Sequence, residues 1–303
     1  FFFKQKTAYE IKECDWSSDV CSSDLTLPQR KVRFYEALTR LRTEDGETIH
    51  PSDYIPIAEA RGFMATIDEQ ILLKSVHLLR RLTERSKDVG IFLNLSGASL
   101  AHGTFFRDFV AVLEKNRDLA QMLVLEFPQT SVRGMGPIEH EGLKALFDLG
   151  YRFSVDQVSD LKISFQNLAD RGFRYVKISA DRLLHRSDEL GTDIHPVDIT
   201  DFFRRFGMEL IADHVEREAD VVDLLDYGVK LGQGFLFSPP RPVRVDVLAG
   251  ASLDRTAGDR GGSDKDRGDR DRGDDAGSAR GSRRTASPST ARAAAPSLRG
   301  PGA

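Results

Sequence analysis

The sequence predicts an α/β fold closed into a modified TIM-like (β/α)8 barrel, on three observations. Short runs rich in Val, Ile, Leu and Phe alternate with longer amphipathic stretches across residues 34–237. The runs are apolar almost continuously, as strands buried on both faces must be, not in the every-second pattern of a half-solvated sheet. Seven such units follow one another, which favours a closed barrel over an open doubly wound sheet.

FYEAL (34–38) opens the series of strands. IDEQILLKSVHLLRRLTERS (67–86) then sets Ile71, Leu72, Val76, Leu79 and Leu82 at helical spacing, so one face of a helix is apolar. VGIFLNLS (89–96) and MLVLEF (122–127) read as strands, with the helix FFRDFVAVLEKN (105–116) between them. EGLKALFDLG (141–150) reads as a helix stopped by its glycine. RFSVD (152–156), YVKIS (175–179) and ELIADHV (209–215) are the next strands; EADVVDLLDYG (218–228) is a helix, and VKLGQGFLF (229–237) carries the last strand. No Gly-rich phosphate loop follows any strand, and the GMG of VRGMGPIE (132–139) opens no dinucleotide-binding turn.

The flanks are of another kind. KQKTAYEI (4–11) and DWSSDVCSSDL (15–25) have neither helical nor strand periodicity and resemble translated sequencing adapter, so residues 1–25 are set apart from the fold. Residues 26–247 then form the domain, with its first strand missing or replaced. From 248 to 303 apolar residues nearly vanish and Asp, Arg, Gly and Ser take over, the composition of a disordered tail. Both cysteines, Cys14 and Cys21, lie in the adapter-like part, so the rest offers no disulfide and no thiolate metal site. With 43 basic and 47 acidic side chains interspersed, no field draws in DNA or RNA. No stretch approaches the roughly 20 apolar residues that cross a bilayer. A soluble, cytoplasmic domain without membrane contact of its own is expected, in a protein that an upstream segment could anchor at the inner membrane.

Polar residues fall at the strand ends: Glu36, Asn94, Glu126, Asp156, Lys177, Glu216 and Gln233. In a (β/α) barrel these ends meet at one face, where active sites lie. A polar residue at one strand end commonly caps the next helix, but the same accident on every strand is improbable. Carboxylate and amide oxygens without Cys or His suit a hard cation, Mg²⁺ or Mn²⁺, of the kind that clamps phosphate oxygens.

YEALTRL (35–41), DGETIHPSDYIPIAEARGFMATID (45–68), FLNLSGASL (92–100), LVLEFPQTSV (123–132), YVKIS, LIADHVEREAD (210–220) and LGQGFLFSPP (231–240) resemble, in order and spacing, the EAL domain family of cyclic-di-GMP phosphodiesterases over about residues 30–241. The resemblance implies a barrel that uses two divalent cations to open one phosphodiester of cyclic di-GMP. It implies Glu36, Asn94, Glu126 and Asp156 as metal ligands and Arg40 as the phosphate-gripping residue. Lys177 would stand near the attacking water, Glu216 would be the general base or a metal ligand, and Asp213 and Gln233 would line the ligand.

This chain departs from that pattern in one region. Where active members read DDFGTGYSSL it reads DQVSDLKISF (156–165), so Gln157 replaces the second aspartate, the one that bridges both cations. Ser159, Asp160 and Leu161 replace Gly, Thr and Gly, which removes backbone freedom, and Gln129 replaces a loop-anchoring glutamate. At most one cation site is then expected to survive. The expectation is a degenerate domain that binds cyclic di-GMP as a receptor and passes its occupancy to a protein partner. The alternatives are a slow phosphodiesterase in which Asp160 supplies the missing carboxylate, and an interaction module without nucleotide. LPQRKVRFYEALTRLR also resembles flagellar-assembly regulators of the TipF type, and EAL domains often form homodimers. His214 stands where the family has Gly, either as a metal ligand or, more simply, as filling of the loop.

Overall fold

The computed structural model describes residues 15–43, 48–85, 89–192, 194–237 and 241–242. The tail expected over 248–303 lies outside the described residues. Eight strands close a barrel: β1 (Asp15–Thr26), β2 (Val32–Arg42, with the two-residue β3, Thr48–Ile49, against its end), β4 (Gly90–Asn94), β5 (Leu123–Pro128), β6 (Arg152–Asp156), β7 (Phe173–Ser179), β8 (Glu209–Asp213) and β9 (Leu231–Gln233), which pairs back onto β1. A short β10 (Arg241–Pro242) pairs with β1 on the edge away from β2, before the stretch that pairs with β9. Every predicted strand is present.

All neighbours from β2 to β9 around the ring are parallel, and β1 is antiparallel to both of its partners. Only five residues, 27–31, join β1 to β2. A connection that short can return the chain beside itself but cannot carry a crossover helix, so β1 must run the other way.

The structure corrects one expectation. The stretch set apart for lacking strand periodicity supplies β1, pairing Cys21 with Ala37, Ser22 with Glu36 and Asp24 with Phe34 and Gln233. Without it β2 and β9 would face each other as open edges, and backbone pairing is available to almost any sequence. The side chains fit less well than the backbone. Asp24 is fully buried with neither carboxylate oxygen hydrogen-bonded, and burial pushes its carboxyl up to about 7 against the opposing pull of Lys177.

Around the barrel lie α1 (Pro51–Arg61), α2 (Met64–Arg85), α3 (Gly97–Ala101), α4 (Gly103–Lys115), α5 (Gln129–Gly134), α6 (Pro137–Asp148), α7 (Phe165–Asp170), α8 (Ala180–Leu184), α9 (Ile199–Arg205) and α10 (Glu218–Asp226). α2 buries Ile71, Leu72, Val76 and Leu79 of the predicted stripe, with Ile67 added to it and Leu82 only partly buried. α6 begins four residues before the predicted start, because Pro137 sits in its first turn, where the missing N–H has no helical partner to lose.

Inside the barrel one layer is an apolar plug of Phe34, Phe92, Val124, Ile211 and Leu231 with Tyr175 against it. Phe34, Phe92 and Tyr175 form a triangle of tilted and edge-on rings with centroids 4.8–5.3 Å apart. Such pairs add about 0.5–1.5 kcal/mol each beyond the area they bury. The plug seals the barrel and leaves the layer above it to polar residues.

Candidate functional site

Side chains two residues apart on a strand point the same way. Two residues beyond the plug, the same face of each strand therefore carries Glu36, Asn94, Glu126, Lys177, Asp213 and Gln233. Lys177, 1% exposed, donates to Glu36 Oε2 at 3.1 Å and to Glu126 Oε1 at 2.8 Å. Its ammonium also lies 4.5 Å from the Phe92 ring centroid. Asn94 Nδ2 donates to Glu36 Oε1 at 2.8 Å and Gln233 Nε2 to Glu36 Oε2 at 2.7 Å.

These contacts set the charges. Burial pushes Glu36 up, but the Lys177 charge and three donated hydrogen bonds outweigh it and hold the carboxyl below its ordinary value. Burial wins at Glu126, which lies well above its ordinary value with Asp156 and Glu36 adding repulsion to it. At Asp156 the same burial and repulsion give about 6. Burial alone would lower Lys177; Glu126, Glu36, Asp24 and Asp156 raise it well above the usual lysine range.

Three buried oxygens here accept no hydrogen bond: Glu126 Oε2, Asp156 Oδ1 and Asp213 Oδ1. Orphaned hard oxygens beside an amide are a donor set that suits one Mg²⁺ or Mn²⁺. Glu36 is different, since both its oxygens are taken by side-chain donors. Among the described residues, no three His, Cys, Asp or Glu are arranged to hold a metal as they stand. The oxygens of Glu126, Asp156 and Asp213 are the ones a hard cation could take.

A cavity of about 420 Å³ opens over this layer, lined by Glu36, Asp156, Gln157, Asp213, His214 and Glu216 among others, with Phe235 at its rim. A second lobe of about 300 Å³ shares Glu36, Leu38, Asp156 and Gln157 and is walled by Tyr54, Ile67, Ile71 and Leu95. Of the predicted residues, Glu36, Asn94, Asp156, Asp213, Glu216 and Gln233 line this trough, and Glu126 and Lys177 lie buried in the layer beneath it. Arg40 lies on the same face of β2 four residues beyond Glu36, lines neither lobe, and donates Nη1 to the Thr39 carbonyl at 2.9 Å.

The loop after β6 does not suffer the loss of backbone freedom expected of it. Its only described left-handed residue is Gln157, at φ 53°, so Ser159 and Leu161 do not suffer from replacing glycines. Gln129, 1% exposed, accepts from Ser159 N and Oγ at 2.9 Å each and donates to the Asp160 carbonyl at 2.6 Å. The Asp160 carboxylate pairs with Arg133 and accepts from Lys162 N at 2.8 Å. An amide can both accept and donate, which is what this loop asks of it. The substitutions are matched to one another.

Sequence reasoning missed Asp68. It is 2% exposed on α2, accepts from Ser96 N at 3.0 Å and Ser99 Oγ at 2.6 Å, and so fixes the turn after Asn94. A carboxylate between Ile67 and Ile71 on an apolar stripe was the available signal.

The EAL domain family model matches residues 25–240. The chain belongs to the EAL domain family. It is 27% identical over 215 residues to the cyclic di-GMP phosphodiesterase PdeB of Shewanella oneidensis, covering 69% of this chain and 24% of that protein. It is 24% identical over 210 residues to the cyclic di-GMP phosphodiesterase PdeL of Escherichia coli, covering 68% of this chain and 58% of that protein. The first of these relatives is matched over about a quarter of its length. Among solved structures, the PaMucR phosphodiesterase in complex with c-di-GMP superposes with a TM-score of 0.66 at 24% identity, over 78% of this chain and 94% of the other. The FimX EAL domain from Pseudomonas aeruginosa bound to c-di-GMP gives 0.62 at 19%, over 77% and 93%. These likenesses establish the EAL barrel fold. Among the described residues no helix of this EAL domain is long and apolar enough to cross a membrane.

Proposed function

We propose that this EAL domain is a cyclic-di-GMP receptor that holds the nucleotide without cutting it efficiently. The observation that carries the reading is Gln157. It stands on the cavity wall beside Asp156, where a second carboxylate would be needed, and the loop that presents it is tied down by Gln129 in a form of its own. A neutral amide neither bridges two cations nor takes a proton from water. Each loss of about 1.36 kcal/mol of transition-state stabilisation slows turnover tenfold.

The remaining layer supports binding. Glu36, Asn94, Glu126 and Asp156 would hold at most one Mg²⁺ or Mn²⁺, which would contribute charge against a phosphate oxygen. Lys177 keeps Glu36 and Glu126 apart and oriented. Asp213 and Gln233 line the ligand, and Arg40 grips a phosphate from the rim. Glu216, exposed on the cavity wall, keeps the place of a base without the loop that would complete it. The slow-phosphodiesterase reading needs Asp160 at the metals, but its carboxylate is engaged by Arg133 and Lys162 N. The likeness to flagellar-assembly regulators makes a motility protein the partner to which occupancy is passed.

Calorimetric titration of cyclic di-GMP in Mg²⁺, followed by analysis of the nucleotide, tests the reading. Saturable binding with the nucleotide recovered intact is expected, weakened at least about tenfold in Arg40→Ala. Linear product would make the domain an enzyme, and no binding by the folded protein would leave an interaction module.

A further inference from the structure

We infer that His214, held by Asp213, is a phosphate-contacting side chain of this domain, so that the chain itself meets part of the charge of its ligand. The inference rests on the receptor reading above and adds a residue to it.

The first observation is conformational. His214 follows β8 in the left-handed region at φ 53°, which a non-glycine residue adopts under strain. The turn is fixed from both sides, by Val215 N donating to the Gln233 carbonyl at 2.9 Å and by His214 Nδ1 lying 3.0 Å from Asp213 Oδ2. A ring that served only to fill the loop would be packed, yet 74% of this side chain is exposed.

The second observation is where the ring stands. It lines the larger lobe together with Gln157, the other left-handed strand-end residue at φ 53°. With Nδ1 committed to the carboxylate, Nε2 has no hydrogen-bond partner among the described residues. A carboxylate on one ring nitrogen fixes the orientation of the other, as it does for histidines that serve ligands.

The third is the charge of the wall. Glu36, Asp156, Asp213 and Glu216 all line this lobe, and a phosphodiester brings a further negative charge. Lys177 lies beneath, 1% exposed and engaged by Glu36 and Glu126, so it cannot reach a ligand. Arg40 lines neither lobe. His214 is the basic side chain on the lobe wall. Gln157 removes one carboxylate from the same wall. The two changes move the lobe in the same direction, towards an anion.

Cyclic di-GMP is titrated into the full chain and into His214→Gly and His214→Gln, in Ca²⁺ and in chelator, with thermal unfolding as the folding control. Glycine relieves the left-handed strain, and glutamine keeps a side chain without the charge. The inference expects binding by the unchanged chain in chelator and a loss of about tenfold or more in both variants there, smaller in Ca²⁺. Variants that bind in chelator within about twofold of the unchanged chain would overturn it, as would binding by the unchanged chain in Ca²⁺ alone; the receptor reading survives both. Absence of binding in both conditions removes that reading, and this one with it.

Discussion

Asp68 and Lys177 are both buried charged side chains, and their surroundings treat them differently. Lys177 is matched by two carboxylates within 3.1 Å, so its charge is stabilised by the fold. Asp68 has only neutral donors, Ser96 N and Ser99 Oγ, and burial pushes its carboxyl up to about 7 from an ordinary 3.8. Between these values the folded chain holds a proton that the unfolded chain has lost. Its contribution to stability is therefore full below about pH 4 and is lost as pH rises through 7. Asp68→Asn keeps both accepted hydrogen bonds and removes the titration. Urea unfolding at pH 5 and pH 8 should show the variant gaining on the parent by about 1–4 kcal/mol as pH rises; parallel pH profiles would contradict this. The residue was legible in the sequence only as an oddity on an apolar stripe, because its two donors come from a turn some thirty positions away.

At the scale of elements, the β6–α7 loop shows why single substitutions mislead. Gln129 read alone is a lost glutamate, and Ser159 and Asp160 read alone are lost loop residues. Together they form an amide-centred latch with three hydrogen bonds. Gln129→Glu, which restores the family's residue, would set a carboxylate oxygen against the Asp160 carbonyl at the present 2.6 Å contact. We expect faster amide exchange across residues 158–162 in that variant, by about tenfold, with little change in β6 itself. Unchanged exchange would mean that the latch does not hold the loop. The strands were easier to read, since parallel buried strands are apolar along their length and need no partner to be recognised.

At the scale of the whole molecule, closure of the barrel depends on a strand with poor credentials. β1 contributes backbone to two neighbours, β2 and β9, while Asp24 sits buried without a partner for either oxygen. Removing residues 1–25 would expose both edges and the plug beside them. Size-exclusion chromatography of a chain beginning at Thr26 should give aggregated or edge-paired oligomers. A stable monomer with native-like circular dichroism would show that the ring closes without that strand.

The sequence by itself determined the alternation of strands and helices, the barrel, and which polar residues stand at most strand ends, although β8 ends at Asp213 and not at Glu216. Each of these rests on a period or a position that is local to the chain. The tertiary structure decided what locality cannot express. It decided that an unpromising stretch fills the gap between β2 and β9, because open edges pair through backbone groups that every residue carries. It decided that Lys177 satisfies Glu36 and Glu126, 141 and 51 positions away, and that Gln129 fits the loop that Ser159 and Asp160 make. Charges and hydrogen bonds act over a few ångströms of space, and only closure of the barrel sets which residues are that close.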